Sequence, residues 1–184
     1  QQPNGQFKRK LAAIFERLQR AEDINARFFD ADNDGDQDLY VVSGGNEYED
    51  GQVFNFDRLY LNDGRGNFQF SPGALNRIGS QGKALAIADF DGDGDQDVFV
   101  GANVVPGAYG KDPQHFLLIN NGRAYFEDQT NQRLQAPTEL GMINAAEPID
   151  FDGDGDIDLV LAGEWTGITL LQNNGSGQFE KASI

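Results

Sequence analysis

Three nine-residue segments limit what this chain can fold into. They are "DADNDGDQD" (30–38), "DFDGDGDQD" (89–97) and "DFDGDGDID" (150–158). Each carries aspartate at positions 1, 3, 5, 7 and 9 and glycine at position 6. Together they hold half of the chain's 30 acidic residues. Like charges packed this closely repel, so such a loop resists ordering unless something offsets the charge. Each loop leads directly into apolar residues: "LYVV", "VFVG" and "LVLA". A charged loop therefore precedes a buried strand three times, with a repeat of about 60 residues.

More than the loop recurs. A short apolar segment precedes each one: "INARFF" (24–29), "ALAIA" (84–88) and "NAAEPI" (144–149). The strand after the loop is "DLYVVSGG" (38–45), "DVFVGANV" (97–104) or "DLVLAGEW" (158–165). Next comes a strand ending in an Asn/Gly or Asp/Gly turn: "RLYLNDG" (58–64), "FLLINNG" (116–122) and "TLLQNNG" (169–175). Such turns between apolar runs signal hairpins. A last short strand closes each unit: "GNFQF" (66–70), "RAYFED" (123–128) and "GQFEK" (177–181).

Four antiparallel strands per repeat predict an all-β chain built of β-propeller blades. The expected blades are 24–70, 83–128 and 144–181, within a single partial propeller over 1–184. Residues 1–23 read as a leading fourth strand and a short helix. "NGQFKRK" (4–10) aligns with "SGQFEKA" (176–182), and Leu11, Ile14, Phe15 and Leu18 have helical spacing over 10–21. Propellers close with about four or more blades. Three blades are thus expected to be part of a larger ring, completed by further blades or by other chains, because open sheet edges are a liability.

Alternate oxygen donors around a tight glycine turn suit a hard cation with six to eight oxygen ligands, namely calcium. The candidate ligands are Asp30, Asp32, Asp34, Asp36 and Asp38; Asp89, Asp91, Asp93, Asp95 and Asp97; and Asp150, Asp152, Asp154, Asp156 and Asp158. Three Ca²⁺ sites are expected. An EF-hand needs glutamate at position 12 and flanking helices. Position 12 here is Val41, Val100 or Leu161, and the flanks read as strands. The carboxylate at position 9 therefore closes the shell, with side-chain ligation from positions 1, 3, 5 and 9. By analogy with other calcium loops, position 7 donates its backbone carbonyl. Magnesium prefers a stricter octahedron with retained waters. Transition metals lack their usual ligands, since the chain has no cysteine and one histidine.

The loops resemble the FG-GAP/VCBS repeat, the calcium-loop blade also found in integrin α-subunit propellers. "FFDADNDGDQDLYVVSGGNEY", "GANVVPGAYG" and "LGMINAAEPIDFDGDGDIDLVLAGEW" are similar to secreted bacterial proteins of the cartilage-acidic-protein-like group, which join such repeats to an ASPIC/UnbV domain. The resemblance implies a seven-bladed propeller with calcium on loop positions 1, 3, 5 and 9. No ASPIC/UnbV segment is visible in the sequence, which fits an excerpt of a longer protein.

The formal charge of −16 argues against nucleic acid and anionic membrane partners. No apolar run reaches the ~20 residues of a spanning helix. No catalytic constellation stands out, and the chain reads as a non-enzyme. His115 opens a strand and reads as structural. Glu47, Glu49, Asp50 and Glu164 are stray carboxylates, so a hydrolase is the distant alternative. The leading expectation is a calcium-binding extracellular scaffold or protein-interaction and adhesion module. Its location is expected outside the cell, on the cell surface or in the periplasm, where free calcium is high enough to fill carboxylate loops. The alternative is a calcium-dependent, lectin-like glycan binder, since Tyr48, Tyr109 and Trp165 lie near carboxylates and amides. The expected place of those rings is nonetheless between blades.

Overall fold

The protein's structure, a computed structural model, describes residues 4–6, 13–48, 51–76, 78–79, 81–135 and 139–182. The described residues form three four-stranded antiparallel meanders. The first holds β1 (Asp23–Phe29), β2 (Asp38–Ser43), β3 (Arg58–Asn62) and β4 (Phe68–Phe70). The second holds β5 (Gly82–Ala88), β6 (Asp97–Ala102), β7 (Phe116–Asn120) and β8 (Phe126–Asp128). The third holds β9 (Met142–Ile149), β10 (Asp158–Glu164), β11 (Gly167–Asn173) and β12 (Phe179–Lys181). Every neighbouring pair is sequential and antiparallel, as in propeller blades. Each pairing of a first and second strand carries one irregularity, at Asp23/Asn25, Gly82/Ala84 and Ala162/Gly163. Such bulges increase local twist.

The middle sheet explains why its strands read as unbroken apolar runs. Both of its faces are covered. Val98, Val100, Phe116 and Leu118 pack with Tyr40, Val42 and Leu59 of the first sheet. Phe99, Leu117 and Ile119, on the alternate positions, pack with Ile143, Leu159, Leu161 and Leu171 of the third. Burial on both faces removes the polar half of a strand's period. Two apolar layers thus hold three sheets in a row.

The start of the chain is less regular than its spacing suggests. Of the expected leading strand, only residues 4–6 are described, and residues 7–10 lie outside the described residues. Of the expected helix over 10–21, a single turn forms, α1 (Ala13–Glu16), and residues 17–20 are turns. A segment this short gains little from helix propagation. Phe15 instead anchors it, with ring centroids 5.0 Å from Tyr60 and 5.7 Å from Phe68. A second single turn, α2 (Thr130–Arg133), had no sequence expectation. The Asp128 carboxylate starts it by accepting from the Thr130 N–H (3.0 Å) and hydroxyl (2.6 Å).

Candidate metal centres at the aspartate loops

Each aspartate loop joins the first strand of a sheet to its second, and backbone N–H groups hold it in one shape. The position 1 carboxylate accepts from the N–H of the position 6 glycine, at 2.9 Å (Asp30–Gly35), 3.0 Å (Asp89–Gly94) and 3.1 Å (Asp150–Gly155). Those glycines have φ of 89°, 93° and 97°, a region closed to most side chains. The position 5 carboxylate accepts from the N–H of position 7, at 2.8 Å for Asp34, 2.9 Å for Asp93 and 2.9 Å for Asp154.

Position 9 is the most deeply set. Asp38, Asp97 and Asp158 are fully buried at the start of β2, β6 and β10. In each, one oxygen accepts from the N–H of position 2: Ala31 (3.0 Å), Phe90 (3.0 Å) and Phe151 (3.1 Å). The other accepts from the N–H ending the third strand: Asn62 (2.7 Å), Asn120 (2.8 Å) and Asn173 (2.7 Å). This one carboxylate ties the loop, the second strand and the third strand together.

These constraints gather three carboxylates per loop. Asp30, Asp32 and Asp38 each place an oxygen within 4.8 Å of the other two, and so do Asp89, Asp91 and Asp97, and Asp150, Asp152 and Asp158. Positions 1, 3 and 9 therefore converge. Positions 5 and 7 do not join that group. The position 7 carboxylates lie against the turn glycine that follows the third strand: Asp36 on Gly64, Asp95 on Gly122 and Asp156 on Gly175. Gly122 has φ of 70°, which favours glycine, and a Cβ there would stand 2.6 Å from Asp95 Oδ2 and displace that carboxylate.

Two observations fit a cation in the triads. Asp32 Oδ1 and Asp91 Oδ1 are buried with no hydrogen-bond partner, and a buried carboxylate oxygen without a partner is costly. Burial, reinforced by neighbouring aspartates, also raises the pKa of Asp32, Asp38 and Asp91, and takes Asp97 to about 7. A bound dication would relieve both penalties. The donor set of hard carboxylate oxygens suits calcium.

The sequence matches the FG-GAP-like repeat over residues 30–100 and 150–184, more than half of the chain. The chain belongs to the FG-GAP-like repeat family. No curated protein is similar enough to the chain to count as a relative.

In this FG-GAP-like chain two kinds of residue serve the loops without having been read from the sequence. The first is the asparagine that ends each third strand. The Asn120 amide donates to Gln96 O of its own loop (3.2 Å) and to Ala31 O of the preceding loop (2.9 Å). Asn173 repeats this with Ile157 O (3.0 Å) and Phe90 O (2.7 Å). Asn120 and Asn173 are thus latches between consecutive FG-GAP-like units. Their sequence signal is an asparagine before the turn in all three repeats, a pattern that hairpin chemistry alone also explains. The second is Arg133 at the end of α2. It pairs with Asp91 Oδ2 at 3.0 Å and reaches the Ser176 carbonyl in the third unit.

His115 lies outside the loops. It is buried, its Nδ1 accepts from the Ala102 N–H at 3.1 Å, and its ring stacks on Phe99. Burial lowers its pKa to about 4. The neutral form therefore adds stability that is fully present above the unfolded value of about 6.5 and is lost as pH falls through 4. The loss is about 3 kcal/mol. His115→Asn keeps an acceptor for Ala102 and removes the titration. Urea melts between pH 7 and 4 should show a shallower acid decline in H115N than in the parent.

The aromatic residues depart from expectation. Tyr48 does pack, on Phe54 (5.0 Å between centroids) and beside Arg20. Tyr109 of the second sheet's loop and Trp165 of the third sheet's turn do meet each other, with centroids 5.6 Å apart, but they are not buried between the sheets: they are 66% and 78% exposed. Of the stray carboxylates, Glu164 meets Tyr109, while Glu49 and Asp50 lie outside the described residues.

Proposed function

We propose that this chain is a calcium-stabilised β-propeller module that works outside the cell as a scaffold or protein-interaction domain. The observation that carries the reading is the threefold carboxylate triad with partnerless buried oxygens in two of its copies. Positions 1, 3 and 9 hold the ion by side chain. Position 5 and the backbone carbonyl of position 7 complete its oxygen shell. The ion supplies charge that lets five aspartates share one loop, and it fixes the junction of first and second strands. FG-GAP-like propellers are typically non-catalytic and occur in extracellular proteins, which supports both the role and the location. Among the described residues no helix is long and apolar enough to cross a membrane.

The three sheets are proposed to be blades of a larger propeller, seven-bladed as in the cartilage-acidic-protein-like group. The uncovered face of the third sheet supports this. Ile149 and Ile168 are 47% and 69% exposed there. The corresponding face of the second sheet, with Phe99 and Leu117, is fully buried. A further blade, from the same protein or another chain, would cover it. Glycan binding is the second reading, favoured by the exposed Tyr109–Trp165 pair.

A thermal melt in calcium, in magnesium and in excess EDTA tests the main proposal. A ligand that binds only the folded state stabilises by about 2.7 kcal/mol per site at a hundredfold excess over Kd. Three such sites should raise Tm by well over 10 °C in calcium, at roughly 2–4 °C per kcal/mol for a chain of this size. Equal melts in calcium and EDTA would sink the calcium reading and the argument for location with it.

A further inference from the structure

The junction of the second and third sheets holds a site far from the aspartate loops. Trp165 sits in the two-residue turn between β10 and β11 with φ of 62°. That position favours glycine or asparagine, and an L side chain there costs about 1–2 kcal/mol. The fold gains little burial in return, since the indole is 78% exposed. A strained residue that packing does not require points toward a binding role.

The surroundings of the indole are built from both sheets. Tyr109 meets it edge-on, with centroids 5.6 Å apart and planes at 77°. Gly110 lies under the indole rim, where a Cβ would stand 3.3 Å from Cζ3. The Tyr109 hydroxyl donates to Glu164 Oε2 at 2.5 Å, and the Asn144 amide donates to Glu164 Oε1 at 3.4 Å. Asn103 from the second sheet donates to Asn144 Oδ1 at 3.2 Å. A broad aromatic face thus adjoins a row of groups that both donate and accept.

We propose that this platform binds a neutral pyranose. The inference rests on the glycan-binding reading and deepens it by naming the site and the ligand class. A pyranose ring has an apolar C–H face that stacks on an indole. Its hydroxyls donate and accept at once, which matches a carboxylate beside two amides. A cationic side chain fits less well. The two rings touch each other and leave no cage between them for an ammonium group. The Glu164 charge is already shared by Tyr109 and Asn144, with Lys83 nearby. The site stands beyond the far end of β10, roughly 20 Å from the loop at ~3.3 Å per residue. Calcium therefore acts on it through the fold and does not bridge the sugar.

Trp165 is the only tryptophan, so its emission reports on this site alone. The test uses the full chain in calcium on a glycan array, followed by fluorescence titration with the monosaccharide of the best hit. Binding is expected, with a shift of Trp165 emission on titration. Trp165→Ala, at an exposed turn, should keep the parent's Tm and lose at least tenfold in array affinity. Array binding that survives W165A unchanged would overturn this site while leaving glycan binding in place. No glycan hit for the parent would overturn both. An emission shift with oligolysine but with no sugar would overturn the proposal in favour of a basic peptide.

Discussion

Asp97→Ala should lower Tm by roughly 10 °C, the largest effect of any single loop substitution. Asp97 is fully buried and accepts from the Phe90 and Asn120 N–H groups at 3.0 and 2.8 Å. Alanine leaves both donors buried without a partner, at about 1–3 kcal/mol each. The sum is about 4 kcal/mol, and 2–4 °C is lost per kcal/mol. In EDTA the loss should be smaller, because alanine also removes the buried charge whose pKa burial raises to about 7. In calcium the gap to the parent should widen, because the triad also loses a ligand. Asp93→Ala offers the contrast. Its exposed carboxylate accepts one N–H, from Asp95, so in EDTA it should cost about 1 kcal/mol or less. Any added loss for D93A in calcium would report direct ligation at position 5. Paired urea melts of the three proteins, with and without calcium, decide this. A D97A protein as stable as the parent in calcium would show that position 9 is not the anchor of the loop.

The second large effect belongs to the asparagine latch. Asn120→Ala removes three hydrogen bonds, to Gln96 O, to Ala31 O of the preceding unit and from the Asn121 N–H, and should cost about 3 kcal/mol. Asn62 occupies the same place in the first sheet but donates only to Gln37 O of its own loop, at 3.1 Å. Asn62 also accepts from the Gly66 N–H at 3.1 Å, so Asn62→Ala removes two hydrogen bonds and should cost about 2 kcal/mol, roughly 1 less than Asn120→Ala. Asn120→Asp should exceed both, because a carboxylate would face two carbonyl oxygens. Hydrogen exchange gives the spatial readout. N120A should expose amides of the first and second sheets together, whereas N62A should affect the first alone. Equal costs for the two alanine variants would mean that the bond between units contributes nothing.

The strands were legible because their signals are local. Each loop is followed by an apolar run, and each Asn-Gly or Asp-Gly turn marks a hairpin within a few residues. The convergence of positions 1 and 3 with position 9 follows from one turn of chain. The latch was not legible, since the Ala31 carbonyl lies 89 residues from Asn120 in sequence. Arg133 was hidden for the same reason: it sits in a helical turn of four residues, 42 positions from Asp91. Helical spacing over 10–21 overstates α1, because the packing of Phe15 on Tyr60 and Phe68 governs that segment. The exposure of Trp165 is not legible in the sequence, because a large apolar ring is usually buried. "GEWTG" gives no warning that the indole occupies a left-handed turn.

The central claim is that each aspartate loop is a cation site. Calcium titration by isothermal calorimetry tests it most directly. The account predicts three calcium ions per chain, one for each triad. It also predicts the loss of one equivalent in each of Asp32→Asn, Asp91→Asn and Asp152→Asn, with magnesium binding far more weakly. No calcium binding at millimolar concentration, or an unchanged stoichiometry in all three variants, would contradict it.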